Sequence, residues 1–294
     1  MHKYLQAIGF KNITKEEFDD ILDKTIEEAS QIFNAIGSEE TEIVEFRKMY
    51  SKNFGLSIVG EYVDDETFRM EYYFPFFLGK GQTTEEKAEI EKHADKEAYA
   101  GICEDYRVGV TLIFYLQNMT DFLNAKYIGR AIRANTSVTL SGLSTEGKIL
   151  FPVNKTEQQI SNTKKYSQAR VQQIAKAREG DEEAIEKLTL EDMDIYTKLS
   201  KRVLKEDILS IVDTYFMPYG IESDQYSVLG EIKDFEWIEN ESSKEKVCRL
   251  NVDCNNLEFD LIINEDDLMG EPALGRRFKG NIWLQGQLNY NMEL

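Results

Sequence analysis

Three runs near the C-terminal end of the chain alternate apolar and polar residues with a period of two. They are Cys248, Leu250 and Val252; Leu257, Phe259, Leu261 and Ile263; and Phe278, Ile282, Leu284, Leu288 and Tyr290. Successive side chains of a strand point to opposite faces, so each run buries one face and wets the other. With the stretch from 226 to 238 they make four strands, over 226–238, 246–254, 256–264 and 276–290. The first of these changes phase, because Val228 and Ile232 are even while Phe235 and Trp237 are odd, and a bulge near Lys233 accounts for the change. Short antiparallel strands, one of them bent, predict a small barrel-like β module over 225–294, OB-like or SH3-like.

The earlier chain reads differently. Thr14 and Glu17 form a capping box, and Phe18, Ile21, Leu22, Ile26, Ala29, Ile32, Phe33 and Ile36 follow at helical spacing, which predicts a helix over 14–37 closed by Gly37. LSIVGEY and FRMEYYFPFF predict a hairpin, with Pro75 confining the second strand to a sheet edge because proline has no amide proton to donate. TTEEKAEIEKHADKEAYAGI, with a thin stripe of Ile90, Ala94, Ala98 and Ile102, reads as an exposed helix. RVGVTLIFYLQ, from 107 to 117, reads as a central strand, and SVTLSGLSTEGKILFPV as a hairpin turning at Thr145–Gly147. From Lys155 the composition shifts to Lys, Gln, Arg and Ala. A long basic helix containing Lys164, Lys165, Arg170, Lys176 and Arg178 is expected there, followed by helices capped at Asp181 and Thr189. The expected organisation is α+β: an N-terminal mixed or antiparallel sheet with packed helices (1–154), a helical connector (155–224) and the C-terminal β module (225–294).

Charge and cysteine content narrow the function. The net charge of -19 repels polyanions, so nucleic acid is an unlikely partner for the surface as a whole. No segment offers the roughly 18 consecutive apolar residues that cross a bilayer, so no membrane is expected. The N-terminus has no apolar run of signal-peptide type, and the three cysteines, Cys103, Cys248 and Cys254, make no disulfide framework, which predicts a cytoplasmic protein. On one strand Cys248 and Cys254 share a face about 20 Å apart, too far to bridge or to hold one metal, and are expected as small buried hydrophobes.

Candidate chemistry is sparse. In GRRFKGNIWLQGQ, alternation turns Phe278, Ile282 and Leu284 inward and leaves Arg277, Lys279, Trp283 and Gln285 on the other face, a row of cations, indole and amide suited to a ligand or a single strand. The plainer alternative packs Trp283 against the connector helices and pairs the arginines with Glu265, Asp266, Asp267 or Glu271. LGKGQTTEE offers Lys80 and Thr83 as an anion-binding loop at a helix start, although Thr83 and Glu86 also read as a capping box. NEDDLMGE gathers Asn264, Glu265, Asp266, Asp267 and Glu271 without the calcium-loop order, and reads as a solvated loop. His2 is terminal and His93 lies among glutamates, so no triad is expected, nor any metal site or cofactor.

The blocks GDEEAIEKLTLEDMDIY, EDILSIVDTYFMPYGIESDQYSVLGEI and GEPALGRRFKGNIWLQG, together with MHKYLQAIGF and YYFPFFLGK, resemble a family of cytosolic proteins from anaerobic Firmicutes catalogued as a domain of unknown function. The resemblance spans essentially the whole chain and carries no activity, cofactor or catalytic residue with it. The expected function is a non-enzymatic binding or regulatory role through the β module, with a protein partner or self-association. A metal- or phosphate-dependent enzyme using the carboxylate cluster and single-stranded nucleic-acid binding through the basic-aromatic face are the alternatives.

Overall fold

The computed structural model describes residues 1–38, 40–64, 67–94, 96–105, 107–127, 135–153, 169–170, 172–177, 179–204 and 207–290. Helix α1 (Lys15–Glu27) starts at the expected cap, with the Thr14 hydroxyl and the Glu17 carboxylate each accepting from the other's backbone amide. It ends ten residues before Gly37. The Ser30 amide donates to the Arg47 carbonyl at 2.8 Å, and the chain continues as strand β1 (Gln31–Ile36) against β2 (Glu42–Met49). Ile32, Phe33 and Ile36 fit a helical stripe, but pairing with β2 takes their backbone groups.

Strands β3 (Phe54–Tyr62) and β4 (Phe68–Phe77) complete a four-stranded antiparallel sheet in the order β1-β2-β3-β4, with Pro75 on the edge strand as expected. The segment expected as an exposed helix is instead a hairpin, β5 (Ala88–Lys92) and β6 (Tyr99–Asp105), and β6 also pairs with β7 (Val110–Leu116). Its apolar stripe is too thin to hold a helix on a core, whereas as a hairpin the segment buries Ala98, Tyr99 and Cys103. Helix α2 (Met119–Tyr127) follows.

Strand β8 (Asn135–Leu150) runs straight through the turn expected at Thr145–Gly147. Gly147 lies directly opposite Gly280, and a Cβ on either would come within 2.4–2.5 Å of the Phe278 ring. The glycine makes room for that ring instead of turning the chain. The connector holds one continuous helix, α3 (Glu182–Val203), where two were expected. Asp181 does accept from the Ala184 amide, but the Thr189 hydroxyl donates to the Ile185 carbonyl within the helix and so caps nothing. The one-turn helix α4 (Ile208–Ile211) and strand β9 (Tyr215–Pro218) lead into the C-terminal strands. Of the expected long basic helix, Lys164, Lys165 and Arg178 lie outside the described residues.

Strands β10 (Gln225–Glu239), β11 (Lys246–Cys254), β12 (Leu257–Asn264) and β14 (Arg277–Tyr290) form a ring with β8. Around it, β8–β12 is parallel, while β12–β11, β11–β10, β10–β14 and β14–β8 are antiparallel. The register of β10 shifts between Ile232 and Asp234, where the phase change predicted a bulge. Short strands extend the ring: β9 pairs with β10, β13 (Leu268–Met269) pairs with β8, and β7 joins β14 at Tyr115 and Leu116. Strands on both sides of the connector therefore share one ten-stranded sheet and one hydrophobic core. The N-terminal segment laces over this junction as a 3₁₀ turn, Lys3–Ile8, closed by Gly9 at φ +87°, where the Ile8 carbonyl accepts from Asn240 at 2.7 Å. Among the described residues, no helix is long and apolar enough to cross a membrane.

Candidate functional site

The parity expected for β14 holds, but its outward side is covered along most of its length. Trp283 is 6% exposed, enclosed by the rings of His2, Tyr4 and Tyr115 at centroid distances of 4.9, 5.3 and 5.1 Å, and its indole N–H donates to Asp224 at 2.7 Å. Burial in this nest lowers the His2 pKa to about 4 and raises that of Asp224, the latter against the opposing hydrogen bond from Trp283. Gln285 is fully buried. It donates to the Pro75 carbonyl at 2.9 Å and accepts from the Gln117 amide at 2.6 Å, fastening β4 to the barrel. Arg277 donates to the carbonyls of Phe151, Val212 and Leu209 at 3.0, 2.8 and 2.9 Å, and burial lowers its pKa from the usual arginine value. Of the four residues expected on a binding face, Lys279 alone stays half-exposed without being used to join elements. Local alternation gives the face, but only the tertiary neighbours decide whether it is open.

The Lys80 loop holds an anion, and that anion belongs to the chain itself. The Lys80 amide donates at 3.0 Å to Asp260, which is buried and also takes Arg249 at 2.8 Å and Asn251 at 3.1 Å. The Lys80 ammonium points outward, 3.8 Å from Glu236. No helix starts at Thr83, so its hydroxyl is not a cap. It accepts from the Leu140 amide at 2.9 Å, and the Glu86 amide turns to the Thr84 hydroxyl instead. In the acidic stretch, Asp267 accepts from Lys11 at 2.6 Å and from Gln6 at 3.2 Å, while Asn264 donates to Glu245 at 2.7 Å. Among the described residues, no three of His, Cys, Asp or Glu converge as a metal site. The three cysteines are buried, and burial pushes the Cys103 and Cys248 thiols up to about 12.

A different arrangement remains open on the outer surface of the barrel. The register of β14 against β8 sets Lys279 directly opposite Lys148, with Asn281 opposite Glu146 in the next outward pair. Asn281 donates to Glu146 at 2.6 Å, which occupies that carboxylate. Lys148 and Lys279 face the same groove of about 780 Å³, and among the described residues neither ammonium is in an ion pair. Tyr215 and Ser227, their hydroxyls 3.4 Å apart, form one bank, while Asp266 and Asp267, the latter held by Lys11, line the other together with Leu268 and Met269 of β13. The volume is that of a small-molecule site. Directly opposed like charges on adjacent strands repel, so an unpaired lysine couple in a concave surface favours an anion between the two. Sequence reasoning named Lys279 and missed Lys148, because Glu146-Gly147-Lys148 looks like a turn and its partner strand begins more than a hundred residues later.

A family model matches residues 5–286, described as a domain of unknown function, E. rectale gene description (DUF3881). No curated protein and no solved structure matches the chain. The chain belongs to this family of unknown function.

Proposed function

We propose that this member of the family is a non-enzymatic binding protein that takes an anionic small molecule, bearing a carboxylate or phosphate, in the groove of its barrel. The observation that carries the reading is the in-register Lys148–Lys279 pair facing the groove with no carboxylate partner among the described residues. Two ammonium groups offer charge-assisted hydrogen bonds to one anion, and the bound anion removes their mutual repulsion. Leu268 and Met269 on the far bank favour a ligand with an apolar body. We also read the ring as OB connectivity with the last strand moved ahead of the first, since its order and parallel pair fit that description; the OB ligand face, strands 2 and 3, then corresponds to β11 and β12, so the groove on β8 and β14 stands on its own geometry. That analogy concerns fold and supplies no ligand.

The competing enzymatic reading runs through Asp266, a carboxylate lining the same groove, and turnover of a bound phosphate ester would support it. Nucleic acid fits poorly, because a protein of net charge -19 repels a polyanion over most of its surface. Buried, unpaired cysteines accord with a cytosolic location.

The test is calorimetric titration of the full chain with inorganic phosphate, citrate and a nucleoside diphosphate, repeated on Lys148→Gln, Lys279→Gln and the surface control Lys80→Gln. At least one anion binds, and each groove substitution weakens it by roughly 10- to 100-fold, the worth of a hydrogen bond to a charged group. Lys80→Gln leaves binding unchanged. The reading fails if no anion binds, or if both groove variants bind as the parent does.

A further inference from the structure

Helix α3 buries Ala184 but leaves Ile185, Leu190, Met193, Ile195 and Tyr196 exposed. Ile185, Met193 and Tyr196 fall on one side of the helix at about 100° per residue. All three are exposed, Met193 at 64% and Tyr196 at 73%. The helix is 22 residues long, about 33 Å at 1.5 Å per residue. A helix of this length with an open apolar side is what an interaction surface looks like in a water-soluble fold.

Its charge says what covers it. Positions 182–194 hold Glu182, Glu183, Glu186, Glu191, Asp192 and Asp194 against Lys187, whereas 195–203 hold Lys198, Lys201 and Arg202 and no acid. The helix is therefore acidic at its start and basic at its end. A parallel neighbour of the same sequence would set like charge against like along the whole length, while an antiparallel one sets each acidic half beside a basic half. Near the middle, where two copies would cross, Arg170 reaches Asp192 at 2.6 Å and Glu191 at 3.9 Å, so the acidic centre carries its own counter-charge.

We propose that α3 pairs antiparallel with α3 of a second copy of this chain about a two-fold axis near Met193, burying Met193 and Tyr196 between the two helices. The contact is isologous, so it closes at a dimer and does not propagate into a filament. It rests on the exposed stripe and the charge polarity of α3, and is independent of the groove.

Sedimentation of the full chain across the micromolar range reads the mass directly. The parent is a dimer, and Met193→Glu or Tyr196→Glu raises the dissociation constant at least about tenfold, as truncating a central interface residue does. Circular dichroism identical to the parent shows that these exposed substitutions leave the fold intact. Orientation is read by cross-linking. The native cysteines are buried, so introduced thiols report alone. Met193→Cys cross-links to itself, and a mixture of Ile185→Cys and Ser200→Cys cross-links between the two variants. A monomeric parent, or a dimer indifferent to both glutamates, overturns the proposal. So does Ile185→Cys cross-linking to itself, which requires parallel helices or an axis far from Met193.

Discussion

Arg47 and Glu45 form an ion pair inside the N-terminal unit, and its removal tests how the first sheet is held to the rest of the molecule. Glu45 is fully buried and Arg47 is 5% exposed. The guanidinium donates to Glu45 at 2.7 Å and to the Gln117 carbonyl at 2.9 Å, and it lies between the rings of Phe33 and Phe76 at 5.1 and 4.8 Å. Ser57 donates to the same carboxylate at 2.5 Å. Arg47→Met keeps the packing between the two rings but leaves a buried carboxylate without its cation, which costs about 3–5 kcal/mol. Replacing both partners, Glu45→Leu with Arg47→Met, removes the stranded charge. The Gln117 carbonyl loses its donor in both variants, so the double variant adds only the unpaired Ser57 hydroxyl, at about 1–3 kcal/mol. The double variant is accordingly more stable than Arg47→Met alone. Urea unfolding followed by circular dichroism measures all three stabilities. A cost below about 1 kcal/mol for Arg47→Met, or a double variant no better than the single, would mean that water reaches the pair, because a buried pair cannot lose one charge cheaply.

Two further outcomes follow from the loop and the N-terminal nest. Asp260→Ala takes a buried acceptor from Arg249, Asn251 and the Lys80 amide while Asp234 still pairs Arg249, and destabilises by about 1–3 kcal/mol in the same assay, whereas Lys80→Ala changes stability by less than about 0.5 kcal/mol, because the backbone amide and not the ammonium holds Asp260. Equal costs would return the anion-holding role to the lysine side chain. His2 titrates near 4 when folded and near its ordinary value when unfolded, so its contribution to stability is complete above about pH 6.5 and is lost as pH falls towards 4. His2→Gln therefore flattens the stability profile across that window by at most about 3 kcal/mol; identical profiles for the two proteins would show that the imidazole is not buried with Trp283.

What the sequence encodes locally is legible, and what it encodes through distant partners is not. The Thr14 cap, the edge position of Pro75, the Ile232–Asp234 bulge and the parity of β14 all depend on a few neighbouring residues, and all four are found where the pattern puts them. The failures share a cause. Residues 31–36 and 88–92 satisfy a helical stripe but become strands, because β2 and β6 supply hydrogen-bond partners that no short window contains. Gly147 reads as a turn residue until Phe278 is known to lie against it. The groove is the extreme case, since Lys148 becomes informative only once the register with Lys279 is known.

The ring has a consequence for how the protein is made. Strand β8 ends at Leu150, yet its antiparallel neighbour β14 spans Arg277–Tyr290, so a ribosome must add 140 residues after Leu150 (290 − 150) before that ladder can close fully. At translation rates of about 5–20 residues per second, the wait is on the order of ten seconds. Until β12 has been made, at residue 264, β8 has neither of its ring partners, β12 or β14, and it is a long strand, 16 residues, with both edges open to other chains. The antiparallel sheet β1-β2-β3-β4 precedes it in the chain and is free to form meanwhile. Nascent chains stalled between about residue 150 and residue 264 are thus the species in which this protein is most exposed to aggregation and to capture by chaperones.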